Sequence, residues 1–194
     1  MFLDHVHPTI EGHRMLALAI IDKMKSAAWL SLDGGWDDAA IGEVEARLMK
    51  KVDPRKQGVA MRNLSKVYSW AGKMEDAYGV AKKALELFPG DAEAHYQVGN
   101  LAYMLGRKEE AVERLGYLVG VNLGRKVEFY LKAHVQLADI LAELGEHEKS
   151  GQVLQKLLVL DPGNPAGKGQ QPTIILGQAK QLLKEGRPDE AVVK

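Results

Sequence analysis

The sequence predicts an all-α chain built from consecutive helical hairpins, and three observations carry that reading. Glycines recur in similar surroundings, as "WAGKMEDA" at Gly72, "MLGRKEEA" at Gly106, "ELGEHEKS" at Gly145 and "KEGRPDEA" at Gly186, at intervals of 34, 39 and 41 residues. A recurrence of about 34 residues is the length of one helix–turn–helix unit. Around each glycine, apolar and small residues fall at helical spacing, a second helix opens beside an acidic residue, and Pro or Gly closes the unit. Hydrophobic residues make up 46% of the 194 residues, enough to furnish a core.

The same composition narrows the function. Lys and Arg number 26 against 26 Asp and Glu, so the formal charge is zero and there is no electrostatic footprint for nucleic acid or an anionic membrane surface. Without cysteine the chain has no disulfide, thiolate metal site or cysteine nucleophile. Its longest strongly apolar stretch, "MLALAII" at 15–21, is far shorter than a membrane span, and no signal-peptide pattern surrounds it. No cofactor is expected, and the compartment stays open.

Residues 1–32 form the first segment. Pro8 or Thr9 can open a helix whose apolar run extends from about 13 to 30. Asp4, His5, His7 and His13 offer carboxylate and imidazole groups suited to zinc or nickel. Ligands that stand ahead of any fold are not held rigidly, so no metal site is expected there.

Residues 33–57 form a linker or capping helix. "DGGWDDAAIGEVEARLMKKVDP" begins with a Gly-Gly break, places acidic residues in a first turn and Lys50 and Lys51 in a last one, and stops at Pro54. That order suits a helix of about 14 residues, with Trp29 and Trp36 anchoring it over the exposed face of the first hairpin. Hairpins are then expected at 58–91, 92–125 and 131–164, with a partial one at 172–194. The two longer intervals place an insertion near "GVNLGRK" at 120–126 and another on "PAGKGQQ" at 165–171, a Pro/Gly-rich composition that breaks helices.

Residues 58–194 resemble the tetratricopeptide repeat (TPR) family, on the strength of these segments. The first unit carries Leu64, Tyr68, Gly72, Ala77, Ala81, Ala84 and Pro89 at the family's large and small positions, with Met61 replacing the first aromatic and Ser65 replacing a glycine. The second has Gly99, Gly106, Ala111 and Leu115, its tyrosine one place late at Tyr103, and Leu123 where the proline would stand. In the third are Leu137, Ala138, Gly145, Leu154 and Pro162, with Ser150 in a small-residue position. The resemblance implies a TPR-type helical hairpin solenoid of about three and a half repeats, preceded by one or two helices. It also implies a protein-interaction scaffold, in which the first helix of each repeat lines a concave groove for an extended peptide or protein partner.

The groove positions carried over are Arg62, Asn63, Lys66 and Trp70, then Tyr96, Gln97, Asn100 and Tyr103, then Lys132, Gln136, Asp139 and Glu143. Arg62, Gln97 and Lys132 partly resemble the variety that clamps a terminal carboxylate. Lys66 and Gln136 depart from it, and Asp139 and Glu143 would repel an acidic ligand, so a polar extended segment is the expected partner. An array that stops in mid-repeat leaves an apolar face, which self-association or further chain would cover.

The opening stretch "FLDHVHPTIEGHRMLA" resembles the last block of SGNH, or GDSL-type, hydrolases, with Asp4 and His7 at the Asp-x-x-His pair, followed by Pro8, Gly12 and an apolar helix. That resemblance implies two members of a Ser/His/Asp triad and a chain that is the C-terminal part of a hydrolase–repeat fusion. Ser26, Ser31, Ser65, Ser69 and Ser150 all lie outside Gly-Asp-Ser or Gly-x-Ser-x-Gly settings, and no Gly-x-Asn-Asp segment supplies an oxyanion donor. The chain itself is therefore expected to be non-catalytic. His95, His134 and His147, dispersed among the repeats, are expected to pack or to face solvent.

Overall fold

The computed structural model describes residues 8–31, 37–121 and 128–192. Within them lie ten helices and no ladder of strands, in two compact units, Met1–Gly90 and Asp91–Lys194. The all-α hairpin solenoid expected from the glycine recurrence is the fold.

The first unit begins with α1, Ile10–Ser26. Thr9 caps it by accepting from the Gly12 amide at 3.0 Å, Glu11 sits in the first turn and Lys23 and Lys25 in the last, each sign matched to its end of the helix dipole. Thr9 opens the helix, one of the two starts expected, and the helix ends at Ser26, short of the expected 30. Helix α2, Asp38–Met49, is capped by Asp37 and tied to α1 by an Arg14–Glu45 ion pair. It is shorter than expected: Lys50 is its C-cap and Lys51 lies beyond it. Trp29 is 79% exposed and anchors nothing, α2 buries none of its residues, and Trp36 lies outside the described residues.

Pro54 starts a helix instead of stopping one. A proline at the first helical position loses no hydrogen bond, and Asp53 caps the end by accepting from the Arg55 amide at 2.9 Å. Helix α3 therefore runs Pro54–Trp70, four residues earlier than the expected start at 58. It packs on α4, Met74–Leu87, around Leu64, Ser65, Ala77, Tyr78, Ala81 and Ala84.

The second unit repeats the hairpin. Helices α5, Ala92–Met104, and α6, Lys108–Gly120, bury Ala94, Val98, Leu101, Ala102, Ala111, Leu115 and Leu118. Helices α7, Glu128–Glu143, and α8, His147–Leu160, bury Tyr130, Ala133, His134, Leu137, Ala138, Ile140, Leu141, Val153, Leu154 and Leu157. The last pair is α9, Pro165–Lys184, and α10, Pro188–Val192.

All four hairpin turns are built alike. Gly72, Gly106, Gly145 and Gly186 have φ between 73° and 79°, the left-handed region that admits glycine without a Cβ clash. The residue after each glycine then donates back to the helix it has just left, Lys73 to Tyr68, Arg107 to Ala102, Glu146 to Leu141 and Arg187 to Leu182, at 2.8–2.9 Å. This is the Schellman closure that satisfies a helix's last carbonyls.

Five residues after the turn glycine and seven before it, two hairpins join their helices through small residues, Ser65 with Ala77 and Ala138 with Ser150, while Gly99, at the same position in the second hairpin, lies against Leu115. In the first hairpin the Ser65 hydroxyl donates to the Ala77 carbonyl at 2.8 Å. In the third the Ser150 hydroxyl donates to the Ala138 carbonyl at 2.6 Å. These bonds explain the two serines that stand where the repeat asks for glycine or alanine. Ser150→Ala is expected to lower stability by about 1 kcal/mol, the usual net worth of a buried hydrogen bond, as a shift in the urea midpoint. An unchanged midpoint would show that the bond contributes nothing.

The stretch 165–171 is helix, which corrects the expected break, and the fourth hairpin starts at Pro165 and not near Pro172. Asn164 caps this end by accepting from the Gly167 amide at 3.1 Å, and Pro165 takes the first helical position. Gly167 faces α8 so closely that a Cβ there would stand 3.1 Å from Leu158 and 3.3 Å from Leu157, so its glycine serves packing. The inserted residues lengthen α9 to 20 residues, against 13 in α5, and leave Pro172 inside it. The other insertion, near 120–126, lies outside the described residues except for Gly120 and Val121.

Candidate functional site

Among the described residues, the second unit presents an open hollow of about 490 Å³ between the first helices of its hairpins. Each helix turns its small and aliphatic residues to its own hairpin partner, which leaves the opposite face to line the hollow. Helix α5 supplies Tyr96 and Asn100; α7 supplies Glu128, Leu131, Lys132, Val135, Gln136 and Asp139; Asn164, Pro165 and Ala166 close it at the start of α9. Leu131 and Val135 sit one turn apart on α7 and form an apolar strip beside polar groups.

The polar groups are bonded across helices. Gln136 Nε2 donates to Asn100 Oδ1 at 2.7 Å, joining α7 to α5. Gln170 Nε2 donates to Asp139 Oδ1, joining α9 to α7. Tyr103 donates its hydroxyl proton to Glu143 Oε1 at 2.7 Å, and Lys108 pairs with Glu143 Oε2 at 2.8 Å. Lys132 pairs with Glu128 at 2.7 Å, one helical turn away. The Tyr96 ring lies 6.0 Å from that of Phe129.

The titration behaviour follows these contacts. Hydrogen bonds from Lys108 and Tyr103 hold the Glu143 carboxyl below its usual range, and that carboxylate in turn pushes the Tyr103 phenol up. Lys132 and Glu128 each favour the other's charged form. Asp139 goes the other way: burial, and then the Glu143 charge, raise it. The Tyr96 phenol is raised by burial as well.

Of the twelve groove positions expected from the sequence, the hollow brings together Tyr96, Asn100, Lys132, Gln136 and Asp139. Tyr103 and Glu143 bond to each other. Gln97 is only 8% exposed, does not line the hollow, and has both side-chain amide atoms buried without a hydrogen-bond partner. Arg62, Asn63, Lys66 and Trp70 belong to α3 of the first unit, where Trp70 is 82% exposed and Arg62 and Lys66 are half-buried.

The sequence reading missed Glu128, Leu131, Val135, Gln170 and the Asn164–Ala166 edge. Asn164–Pro165 was legible as a helix start, an Asn cap before a proline, but the glycines that follow it read as a break.

At the other end of the chain, Asp4, His5 and His7 lie outside the described residues. His13 is held within the first turn of α1, its Nδ1 3.0 Å from the Thr9 carbonyl. No group of three or more His, Cys, Asp or Glu suited to a metal occurs among the described residues, and no described helix is long and apolar enough to cross a membrane. The dispersed histidines pack: His95 stacks on Tyr117 at 4.1 Å, and buried His134 meets Tyr130 edge-on with its Nδ1 2.8 Å from the Tyr130 carbonyl.

Two models of the tetratricopeptide repeat match the chain, over residues 65–119 and 131–164. Among curated proteins, the antiviral innate immune response effector IFIT1 of Macaca fascicularis is 25% identical over 188 residues, covering 82% of this chain. The match covers 38% of that relative, so the chain corresponds to well under half of its length. Among solved structures, MamA superposes with a TM-score of 0.52 at 24% identity, over 84% of this chain and 91% of that one. A kinesin light chain protein of Podosopora anserina with nearly identical TPR-like repeats gives 0.51 at 15% identity, over 77% and 78%. Likeness at these identities is likeness of fold.

Proposed function

On a chain that carries tetratricopeptide repeats, we propose that the hollow of the second unit binds an extended segment of a protein partner, and that the chain acts as an interaction scaffold without catalysing a reaction. The observation that supports this reading is the composition of the hollow. An apolar strip, Leu131 and Val135 with the Tyr96 ring and Pro165, runs beside amide groups of Asn100 on α5, Gln136 on α7 and Asn164 at the cap of α9. An extended peptide needs both: side-chain contacts for area, and hydrogen-bonding groups for its backbone N–H and C=O. Ser65 and Ser150 give their hydroxyl protons to helix carbonyls, which fits a structural role for both.

The reading is tested by photo-crosslinking in cells of the source organism, with benzoylphenylalanine in place of Val135 and, as a control, of exposed Glu148 on α8. A discrete adduct to a second protein from position 135, absent from position 148, is the expected result. Adducts of equal yield at both positions, or none from 135, would remove the hollow as the binding site.

A further inference from the structure

We infer that the segment taken by this hollow is recognised through a lysine or arginine side chain whose cationic head pairs with Asp139. The inference rests on the peptide-binding reading above and names the chemistry of the partner. Its support is the balance of charge around the hollow.

Lys132 is bound to Glu128 and Lys108 to Glu143, so both nearby cations already face a carboxylate. Asp139 is half-buried, lines the hollow, and has no cationic partner among the described residues; its single hydrogen bond comes from the neutral Gln170 amide. The hollow is therefore left with one unmatched negative charge, in a place where water screens it less than at an open surface. The raised Asp139 carboxyl carries the same mark, since burial and Glu143 both oppose its ionised form.

The amides beside Asp139 are oriented to match its charge. An ionised carboxylate only accepts, which turns the nitrogen end of Gln170 toward Asp139 and leaves Gln170 Oε1 buried without a donor. Gln136 likewise spends its nitrogen on Asn100, and its Oε1 is buried without a donor. Asn100 Nδ2 is directed to the Met104 sulfur at 3.7 Å. Gln136 and Asp139 stand three residues apart on one face of α7, and both line the hollow. A carboxylate without a cation, lining the hollow, selects a ligand group that only donates. Lysine brings three N–H donors and arginine five, neither with an acceptor, and the aliphatic stem of either suits the Leu131–Val135 strip. A terminal carboxylate or an acidic side chain would add an acceptor and a repelling charge to the same spot.

The test uses the full chain and fluorescent pools of N-acetylated, C-amidated hexapeptides, identical mixtures of uncharged residues except for one central position fixed as Lys, Arg, Ala or Glu. The Lys and Arg pools are expected to bind about 10-fold more tightly than the Ala pool, and the Glu pool more weakly than either. Asp139→Asn, which keeps the shape and the Gln170 contact, should abolish the advantage of the Lys and Arg pools over the Ala pool. Glu148→Gln should change nothing. A second measurement needs no variant: the Asp139 carboxyl carbon signal of the unmodified chain should titrate at lower pH when the Lys pool is bound. If the Ala pool binds and the Lys and Arg pools bind no better, or if their advantage survives Asp139→Asn, the cation inference is overturned while peptide binding stands. If no pool binds, both readings fall.

Discussion

Leu115→Ala should destabilise the second unit by about 2–5 kcal/mol, with the upper part of that range expected. Leu115 is fully buried in α6, and it lies against the one place on α5 that has no side chain of its own. A Cβ added at Gly99 would stand 2.8 Å from Leu115 Cγ and 2.9 Å from Cδ2. The leucine fills the space that the glycine leaves, so alanine would face glycine across an empty volume that no nearby side chain on α5 can enter. Equilibrium urea denaturation measures the effect. Leu115→Met, which keeps the volume, should cost less than about 1.5 kcal/mol. If alanine and methionine cost the same, the leucine is not filling the gap above Gly99.

The second large effect is expected at a position that touches nothing. Gly106 has φ of 76°, and a Cβ built there meets no heavy atom within 4 Å. A Cβ at position 106 therefore enters open space, and the cost of Gly106→Val is expected to come chiefly from the backbone. A β-branched residue is disfavoured in the left-handed region, and about 2 kcal/mol of destabilisation is expected. Asparagine tolerates that region, so Gly106→Asn should cost less than half as much. Thermal melting of the two variants against the parent measures the difference. Equal melting temperatures for valine and asparagine would mean that the turn does not hold its left-handed residue.

The hairpins were legible because glycine is required there for a reason local to the chain. A left-handed turn residue is a property of one peptide unit, and the residues around Gly72, Gly106, Gly145 and Gly186 carry it openly. The ends of helices were less so. Pro54 and Pro165 are residues that either stop a helix or start one, and the difference lies in whether an Asp or Asn before them turns its side chain to the amide one or two places past the proline. At 165–171 the glycines suggested a break, whereas Gly167 is there because α8 approaches too closely for a side chain. That is a fact about a neighbouring helix, and no local pattern states it.

The candidate site divides along the same line. Tyr96, Asn100, Lys132, Gln136 and Asp139 followed from repeat position, since a helix face is set by spacing. Gln97 shows the limit of that rule: one residue along α5 from Tyr96, it turns away from the hollow and is buried. Gln170 and Lys108 bond to the groove carboxylates from elements that the sequence placed elsewhere or not at all in the site.

The two serine bonds have a consequence for how such repeats are compared. In the first hairpin the hydroxyl stands on the earlier helix and the carbonyl on the later one; in the third the roles are exchanged, across the same twelve-residue separation. A column-by-column comparison scores Ser65 and Ser150 as two unrelated exceptions, each in its own position. Compared as pairs, 65 with 77 and 138 with 150, they are one interaction written from opposite sides, and the joint between two helices is the unit that carries the information.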